Sequence, residues 1–395
     1  MIDTIKLKFK YEHKNTFYFQ EKIHQRALNL FYATGNRYIW TNNTWRKDRQ
    51  KQGVYTPKYW IEQDFLNPAK TYFCLETSLP KLLYGENHSI IYEHQLDDTV
   101  KALHEFLQTI GVYIFSHQIK SAIPILLAIG KNIHLEKVCP CDLALKALKP
   151  FDYKAHSKYR IVDFSDYKYR GKELIFSKGK ISSETIKAYD KKREVLNNAK
   201  TKEEKEIAKK FEDGGAEILR IELTLKTPRK ITAKFKPYLG RKKPTLEAIF
   251  KQHIWDALLK QEVNDVFNHP LQKILFLSLE GQPFIEKFLD EHYSHIQTKD
   301  TIKGILASLQ AYGLAETRSR YLQRYKSRQT WYNYLKRLGE LQNNFDVKAL
   351  NNLTNLKIHS YILNQFGIST STQEELGLNF NNQLSKNIDI KRCNT

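Results

Sequence analysis

Strand-like alternation of hydrophobic residues occurs in the first 225 residues of this sequence and is replaced by helical spacing in the last part, and that difference limits what the chain can fold into. Ile5, Leu7 and Phe9 alternate with lysines, as an antiparallel strand with one buried face requires. The segment 218–225 alternates in the same way, whereas the apolar residues beyond about residue 245 follow helical spacing. The sequence therefore predicts an α+β fold, in which a domain built on an antiparallel sheet is followed by a helical domain.

The charge balance favours a polyanionic partner. The chain has 64 Lys and Arg against 43 Asp and Glu, a formal net charge of +21, and such an excess attracts nucleic acid through steering and counterion release. No apolar run approaches the roughly eighteen residues that a membrane-spanning helix needs. The first nine residues contain an acid and alternating lysines, unlike a signal peptide. We therefore expect a cytoplasmic protein that binds nucleic acid and not a membrane.

The segment 186–194 places a tyrosine between a strand-like and a helix-like stretch. If the helix begins just after Tyr189, Lys192 lies one turn on, on the side of the phenol, and Lys191 and Arg193 flank it. Nearby cations lower the cost of forming a phenolate, the nucleophilic form of tyrosine. Tyr189, Lys191 and Lys192 are the candidate catalytic residues. The alternative is a core tyrosine, because Tyr-x-x-Lys arises by chance in a chain with 23 tyrosines.

Five short motifs occur in one order along the first 245 residues. They are Met1-Ile2-Asp3-Thr4, Cys74-Leu75-Glu76, the stretch from Leu79 to Asn87, Ala188-Tyr189-x-Lys191-x-x-Glu194, and Leu219-Arg220-Ile221-Glu222. This series resembles the gene II/gene X replication initiators of filamentous phages and their plasmid relatives. The last two motifs are also similar to rolling-circle plasmid initiators of the replication-transfer type.

The resemblance implies an HUH-like enzyme that nicks and rejoins one DNA strand. It implies Tyr189 as the nucleophile, a 5′-phosphotyrosine intermediate, and Mg²⁺ or Mn²⁺ at the scissile phosphate. The implied partners are single-stranded and duplex origin DNA, with a host DNA polymerase. A host helicase is expected as well, because the sequence has no Gly-x-x-x-x-Gly-Lys loop for nucleotide hydrolysis.

The metal ligands are the part of the resemblance that this sequence matches least. The broader superfamily places a His or Asp on a central strand, but the corresponding stretch 124–132 contains neither residue. Glu222 and Glu76 are carboxylate candidates that a hard cation accepts, and His117 is a histidine close to that stretch. Glu222 has an alternative role as an ion-pair partner of Arg220, and His117 has one as a surface residue.

The helical part predicts a second DNA-binding element. Three short helices, at 301–312, 314–325 and 328–341, with Gly313 ending the first and Ser327 capping the third, are typical of a helix-turn-helix module. The segment 318–337 mixes cations with aromatic residues and contains no acid. A structural helical bundle is the alternative. The candidate DNA contacts are Arg220, Arg318, Arg320, Arg324, Arg328, Gln329, Tyr332, Asn333 and Lys336.

These observations predict four regions. A catalytic domain over 1–250 is followed by a helical connector at 251–289, a helix-turn-helix-like domain at 290–345 and an irregular polar tail at 346–395. The tract 226–243, with eight Lys or Arg and no acid, either tracks the nicked strand or links the domains. The rival functions are a non-catalytic protein that binds an origin or its iterons, and an RNA-binding protein.

Overall fold

The computed structural model describes most of the chain and divides it into two compact units. The sheet unit consists of Met1–Leu145 and His156–Glu262, and the helical unit consists of Lys146–Ala155 and Val263–Thr395. The division after residue 262 lies close to the predicted domain boundary at 250. The described residues are 2–10, 38–41, 55–63, 71–87, 89–148, 159–161, 173–178, 183–199, 202–268, 276, 282–325, 327–344 and 354–368.

The sheet unit is built on one nine-stranded sheet with the order β2-β3-β4-β1-β5-β9-β8-β7-β6. Every recorded strand pair is antiparallel, so the predicted antiparallel sheet is confirmed. The strands are β1 (Ile2–Lys10), β2 (Tyr38–Thr41), β3 (Lys58–Gln63), β4 (Thr71–Ser78), β5 (Ile123–His134), β6 (Tyr159–Ile161), β7 (Glu173–Lys178), β8 (Glu184–Asp190) and β9 (Ile218–Leu225).

The central strands separate an apolar face from a polar face. Ile5 and Leu7 of β1 and Leu219 and Leu223 of β9 are completely buried, because side chains two residues apart point to the same side of a strand. The opposite face of β9 is buried too, since Arg220, Glu222 and Thr224 are each at most 9% exposed. Buried polar groups require partners, so these residues mark a built polar cluster.

Helices pack around this sheet. In the part of the sheet unit that the structure describes they are α1 (Leu79–Tyr84), α2 (Leu96–Thr109), α3 (Ser116–Ser121), the start of α4 (Cys141–Leu148), α5 (Lys191–Asn198), α6 (Lys202–Asp213), α7 (Pro228–Leu239), α8 (Leu246–Ile249) and the start of α9 (Gln252–Phe267). Helix α7 replaces the linker considered for residues 226–243. Thr227 caps its first turn, Pro228 occupies the first helical position, and Ile231 and Phe235 are buried.

The helical unit differs from the predicted helix-turn-helix pattern. Its other described helices are α10 (Gln282–His292), α11 (Ile296–Tyr325), α12 (Arg328–Asn344) and α13 (Thr354–Asn364). Gly313 does not end a helix, so one long helix stands where two short ones were predicted. An interior glycine costs a helix only about 1 kcal/mol, and buried residues on both sides of it, Leu309 and Thr317, tie the two halves into the unit. Ser327 caps α12 as predicted, because its hydroxyl oxygen accepts from the backbone N–H of Thr330 at 3.3 Å.

The region after residue 346 is not entirely an irregular polar tail. Helix α13 buries Leu356, Ile362 and Leu363, and His359 contacts the carbonyl oxygen of Phe267 at 2.9 Å. The Asn-rich composition of this segment conceals an apolar stripe with helical spacing. Among the described helices, none is both long enough and apolar enough to cross a membrane.

Candidate active site

Tyr189 lies where the sequence predicted it, at a transition from strand to helix. It is the second-last residue of β8, and α5 begins at Lys191. Asp190 causes the change of structure, because its carboxylate accepts from the backbone N–H of Arg193 at 3.0 Å and so caps the first turn. The phenol is thereby fixed at the end of a strand, and the helix backbone starts immediately behind it.

The phenol belongs to a polar cluster across strands β8 and β9. Tyr189 is directly opposite Arg220 in the register, and Glu222 lies two residues further along β9, on the same face. The hydroxyl of Tyr189 donates to Oε2 of Glu222 at 3.3 Å, and the hydroxyl of Thr224 donates to Oε1 at 3.0 Å. A hydroxyl that can act as a nucleophile is thus hydrogen-bonded to a carboxylate that can act as a base.

Arg220 is the charged centre of this cluster. Its side chain is completely buried, with Nη2 2.8 Å from Oδ2 of Asp3 and Nε 3.8 Å from Oε2 of Glu222. Nη1 also donates to Oδ1 of Asn132 at 3.3 Å. Burial alone would lower the pKa of Arg220, but Asp3, Tyr189 and Glu222 raise it above its ordinary value. Arg220 was predicted to contact DNA, and the structure instead places it in the interior, between two carboxylates.

Gly130 makes room for this guanidinium. It pairs with Glu222 across β5 and β9, and a Cβ atom at this position would lie 3.1 Å from Nε and 3.2 Å from Nη2 of Arg220. Gly130 belongs to the stretch 124–132, in which the resemblance implies a His or Asp ligand. In this chain a glycine leaves space there for a cationic side chain from the next strand.

One of the two predicted catalytic lysines adjoins the cluster. Lys191 is buried to 1% exposure, and its Nζ lies 2.6 Å from Oε2 of Glu194. The side-chain amide of Asn87 donates to both carboxylate oxygens of Glu194, at 3.1 and 3.3 Å. Burial, and then the positive charge of Arg220, lower the pKa of Lys191. Its ammonium is therefore a stronger acid than that of an exposed lysine.

Lys192 is not on the side of the phenol, and this prediction is wrong. Its Nζ contacts Oε1 of Glu217 at 2.6 Å, while the guanidinium of Arg193 makes two hydrogen bonds of 2.8 Å to Asp142. Successive helical residues are about 100° apart. The helix begins two residues after Tyr189, so it directs Lys192 and Arg193 toward other acids.

The predicted metal ligands do not come together. Glu76 on β4 pairs with Lys6 at 3.0 Å, three strands from Glu222 in the sheet order, or about 14 Å at the usual strand spacing. His117 is exposed, and its ring stacks on Phe115 with the centroids 5.7 Å apart. Among the residues that the structure describes, no group of three His, Cys, Asp or Glu could hold a metal ion.

The carboxylates beside Tyr189 do not fit a divalent metal as they stand. Asp3 and Glu222 both face the guanidinium of Arg220, and a second cation between them would be repelled by it. The predicted Mg²⁺ or Mn²⁺ therefore has no ligand set at this cluster among the described residues.

Burial of the Tyr189 phenol makes its proton harder to remove. Tyr189 is only 9% exposed, and burial, followed by the negative charge of Glu222, raises its pKa well above 10, while Arg220 opposes this shift. A free phenolate is therefore disfavoured in the folded protein. Nucleophilic attack by Tyr189 would need proton transfer to an acceptor such as Glu222 as the new bond forms.

The predicted DNA contacts of the helical unit lie on α11 and α12. The side chains of Arg318, Arg320, Arg324, Gln329, Tyr332, Asn333 and Lys336 are exposed. Tyr332 is 58% exposed and Trp331 is 4% exposed, as expected if Trp331 belongs to the core and Tyr332 faces outward. The amide of Gln329 donates to Asn333 at 3.1 Å. Arg328 is the first residue of α12, and its side chain lies outside the described part of the structure.

The sequence did not identify Asp3, Asn132 or Glu194 as members of the cluster, nor the need for glycine at position 130. Usable signals existed for Asp3, an acid on a strand of apolar residues and lysines, and for Glu194, which belongs to the motif around Tyr189. No protein-family model, no curated protein and no solved structure matches this chain.

Proposed function

We propose that this chain is a replication initiator that nicks and rejoins one strand of origin DNA, with Tyr189 as the nucleophile. The observation that carries the proposal is the hydrogen bond of 3.3 Å from the Tyr189 hydroxyl to Glu222, inside a cluster that also contains Arg220 and adjoins Lys191. In this cluster a potential nucleophile is hydrogen-bonded to a potential base. The two cations lie nearby, where negative charge develops during attack on a phosphate.

In the proposed reaction, Oη of Tyr189 bonds to phosphorus while Glu222 accepts the phenolic proton. The bond between phosphorus and the 3′-oxygen breaks, and Lys191 donates a proton to that oxygen. The products are a 5′-phosphotyrosine and a 3′-hydroxyl that primes synthesis. Attack by a new 3′-hydroxyl reverses the step without any nucleotide cofactor. Because Tyr189 is 9% exposed, DNA has to open the site before the reaction.

The proposal extends to partners. The exposed cations and polar side chains of α11 and α12 are suited to hold duplex origin DNA in the manner of a helix-turn-helix module. A host helicase would separate the strands and a host DNA polymerase would extend the 3′-hydroxyl. Mg²⁺ or Mn²⁺ stays part of the proposal through the resemblance alone, so no step is assigned to it.

Covalent trapping tests the enzymatic proposal. Single-stranded oligonucleotides tiled across the replicon that encodes the chain are incubated with the protein in Mg²⁺, in Mn²⁺ and in chelator, and denaturing gels detect adducts. The wild type should form an adduct on one oligonucleotide. Tyr189→Phe should bind that oligonucleotide but form no adduct. Tyr59→Phe, which removes the hydroxyl of another buried tyrosine, should keep adduct formation. An adduct of equal yield in Tyr189→Phe would exclude the proposed nucleophile.

A second candidate function is a DNA-binding initiator without catalysis. The enclosure of Tyr189 and the raised pKa of its hydroxyl favour it, because a structural tyrosine needs no access to DNA. This candidate predicts origin binding by the wild type with no adduct on any oligonucleotide and in any metal. The trapping experiment therefore separates the two candidates.

A further inference from the structure

Helix α7 and the residues on either side of it form an exposed, positively charged surface. Its members, which we call the α7 basic surface, are Lys226, Arg229, Lys236, Arg241, Lys242, Lys243 and the 39% exposed Tyr238. None of the six cations forms an ion pair with a residue that the structure describes. The sequence from 226 to 243 also contains no acid that could neutralise them.

The inner side of α7 is fixed to the sheet unit. Ile231 and Phe235 are completely buried. Nζ of Lys230 lies 3.1 Å and Nζ of Lys234 lies 2.8 Å from the buried carboxylate of Glu184, and Lys234 also contacts Glu262. Two cations of the tract thus anchor the helix, and the others are held outward on a rigid support. A lysine run on an unanchored segment would lack this arrangement.

The α7 basic surface is extended and separate from Tyr189. Arg229 and Lys236 are seven residues apart, which places them on the same side of the helix at about 10 Å along its axis. Lys226 follows Arg220 by six residues, or about 20 Å along an extended chain. Partial burial and the charge of Lys187 lower the pKa of Lys226, so like charges also meet at this end of the surface.

We propose that the α7 basic surface binds single-stranded DNA, with phosphates on its cations and a base stacked on Tyr238. Six exposed cations and no acid match a polyanion, and an exposed aromatic ring among them suits an unpaired base better than a stacked duplex. The inference rests on the proposed function only for DNA as the partner, and it does not require Tyr189 to be a nucleophile.

A salt titration of binding to a labelled oligothymidylate tests the inference. The variant Arg229→Ala/Lys236→Ala/Lys242→Ala should make the slope of log K against log salt less negative by about 2, because each phosphate contact contributes about 0.7. That slope corresponds to roughly a hundredfold weaker binding at about 0.1 M salt. Tyr238→Ala should weaken binding roughly tenfold, and Tyr238→Phe should not, since stacking needs only the ring.

The matched control removes the same charge elsewhere. Lys205→Ala/Lys209→Ala/Lys210→Ala also removes three exposed lysines, from α6, and should leave the slope unchanged. Equal slopes for the two triple variants would overturn the inference while leaving DNA binding by the protein intact. Absence of oligothymidylate binding by the wild type would also overturn the inference, whereas the proposed nicking reaction is tested separately by covalent trapping. Tighter binding of oligouridylate at this surface would overturn the assignment to DNA.

Discussion

The polar cluster at Tyr189 and the α7 basic surface use the same types of residue in opposite ways. In the cluster, Arg220 and Lys191 are at most 1% exposed and each faces a carboxylate. On the α7 basic surface the cations are exposed, and none pairs with a described acid. A buried charge must be paired to be tolerated, whereas an exposed one remains available to a partner. Stability should therefore depend on the first group of cations and polyanion binding on the second.

Substitution of Arg220 should have the largest effect on the stability of the protein. Arg220→Met leaves Asp3 and Glu222 buried without their shared cation, so we expect the free energy of unfolding to fall by about 3–5 kcal/mol. Arg229→Met, on the α7 basic surface, should change it by no more than about 0.5 kcal/mol. Urea unfolding measures both values. Equal stability of the two variants would show that the buried ion pairs do not support the fold.

His359, which is buried in the helical unit, tests how burial of an ionisable side chain affects stability. Burial lowers the pKa of His359 from 6.5 to about 4, and its contact with the carbonyl of Phe267 opposes this shift only in part. The folded state thus favours the neutral ring. The stability that the neutral ring of His359 contributes is fully present above pH 6.5 and is lost as the pH falls toward 4. The free energy of unfolding falls by about 3 kcal/mol over this range. In His359→Gln the free energy of unfolding should depend less steeply on pH over this range. An unchanged pH dependence would contradict the lowered pKa of His359.

Substitution of Gly130 should have a smaller effect on stability, and a second glycine gives a control in which the effect has the opposite sign. Gly130→Ala adds a methyl group against the guanidinium of Arg220, so the free energy of unfolding should fall by about 1–3 kcal/mol. A Cβ atom at Gly304, on α11, would meet no atom within 4 Å apart from its chain neighbours and its own helix backbone, and Gly304→Ala should stabilise its helix by up to about 1 kcal/mol. If both substitutions act in the same direction, Gly130 does not serve to accommodate Arg220.

Local patterns in the sequence predicted the elements that are periodic along the chain. Strands β1 and β9 follow from alternation, and the transition at Tyr189 follows from the change between a strand-like and a helix-like stretch. Long-range partners could not be predicted in this way. Asp3 meets Arg220 only because β5 lies between β1 and β9, and no local pattern specifies strand order.

The remaining differences have equally specific causes. A helix that begins at Lys191 directs Lys192 away from the phenol, and the sequence did not define that starting residue closely enough. Gly313 is a helix terminator by propensity alone, but packing on both sides keeps α11 continuous. The apolar residues of α13 were overlooked because asparagines surround them. Of these three cases, only the continuity of α11 reflects tertiary contacts that outweigh a local preference.

Locating the covalent bond tests most directly whether Tyr189 is the nucleophile. Adducts between the wild type and its oligonucleotide are digested with nuclease and protease, and mass spectrometry identifies the tyrosine that carries the nucleotide. We expect a single labelled peptide, which contains Tyr189. Label on any of the other tyrosines, or an intact binding complex that never yields a labelled peptide, would contradict this expectation.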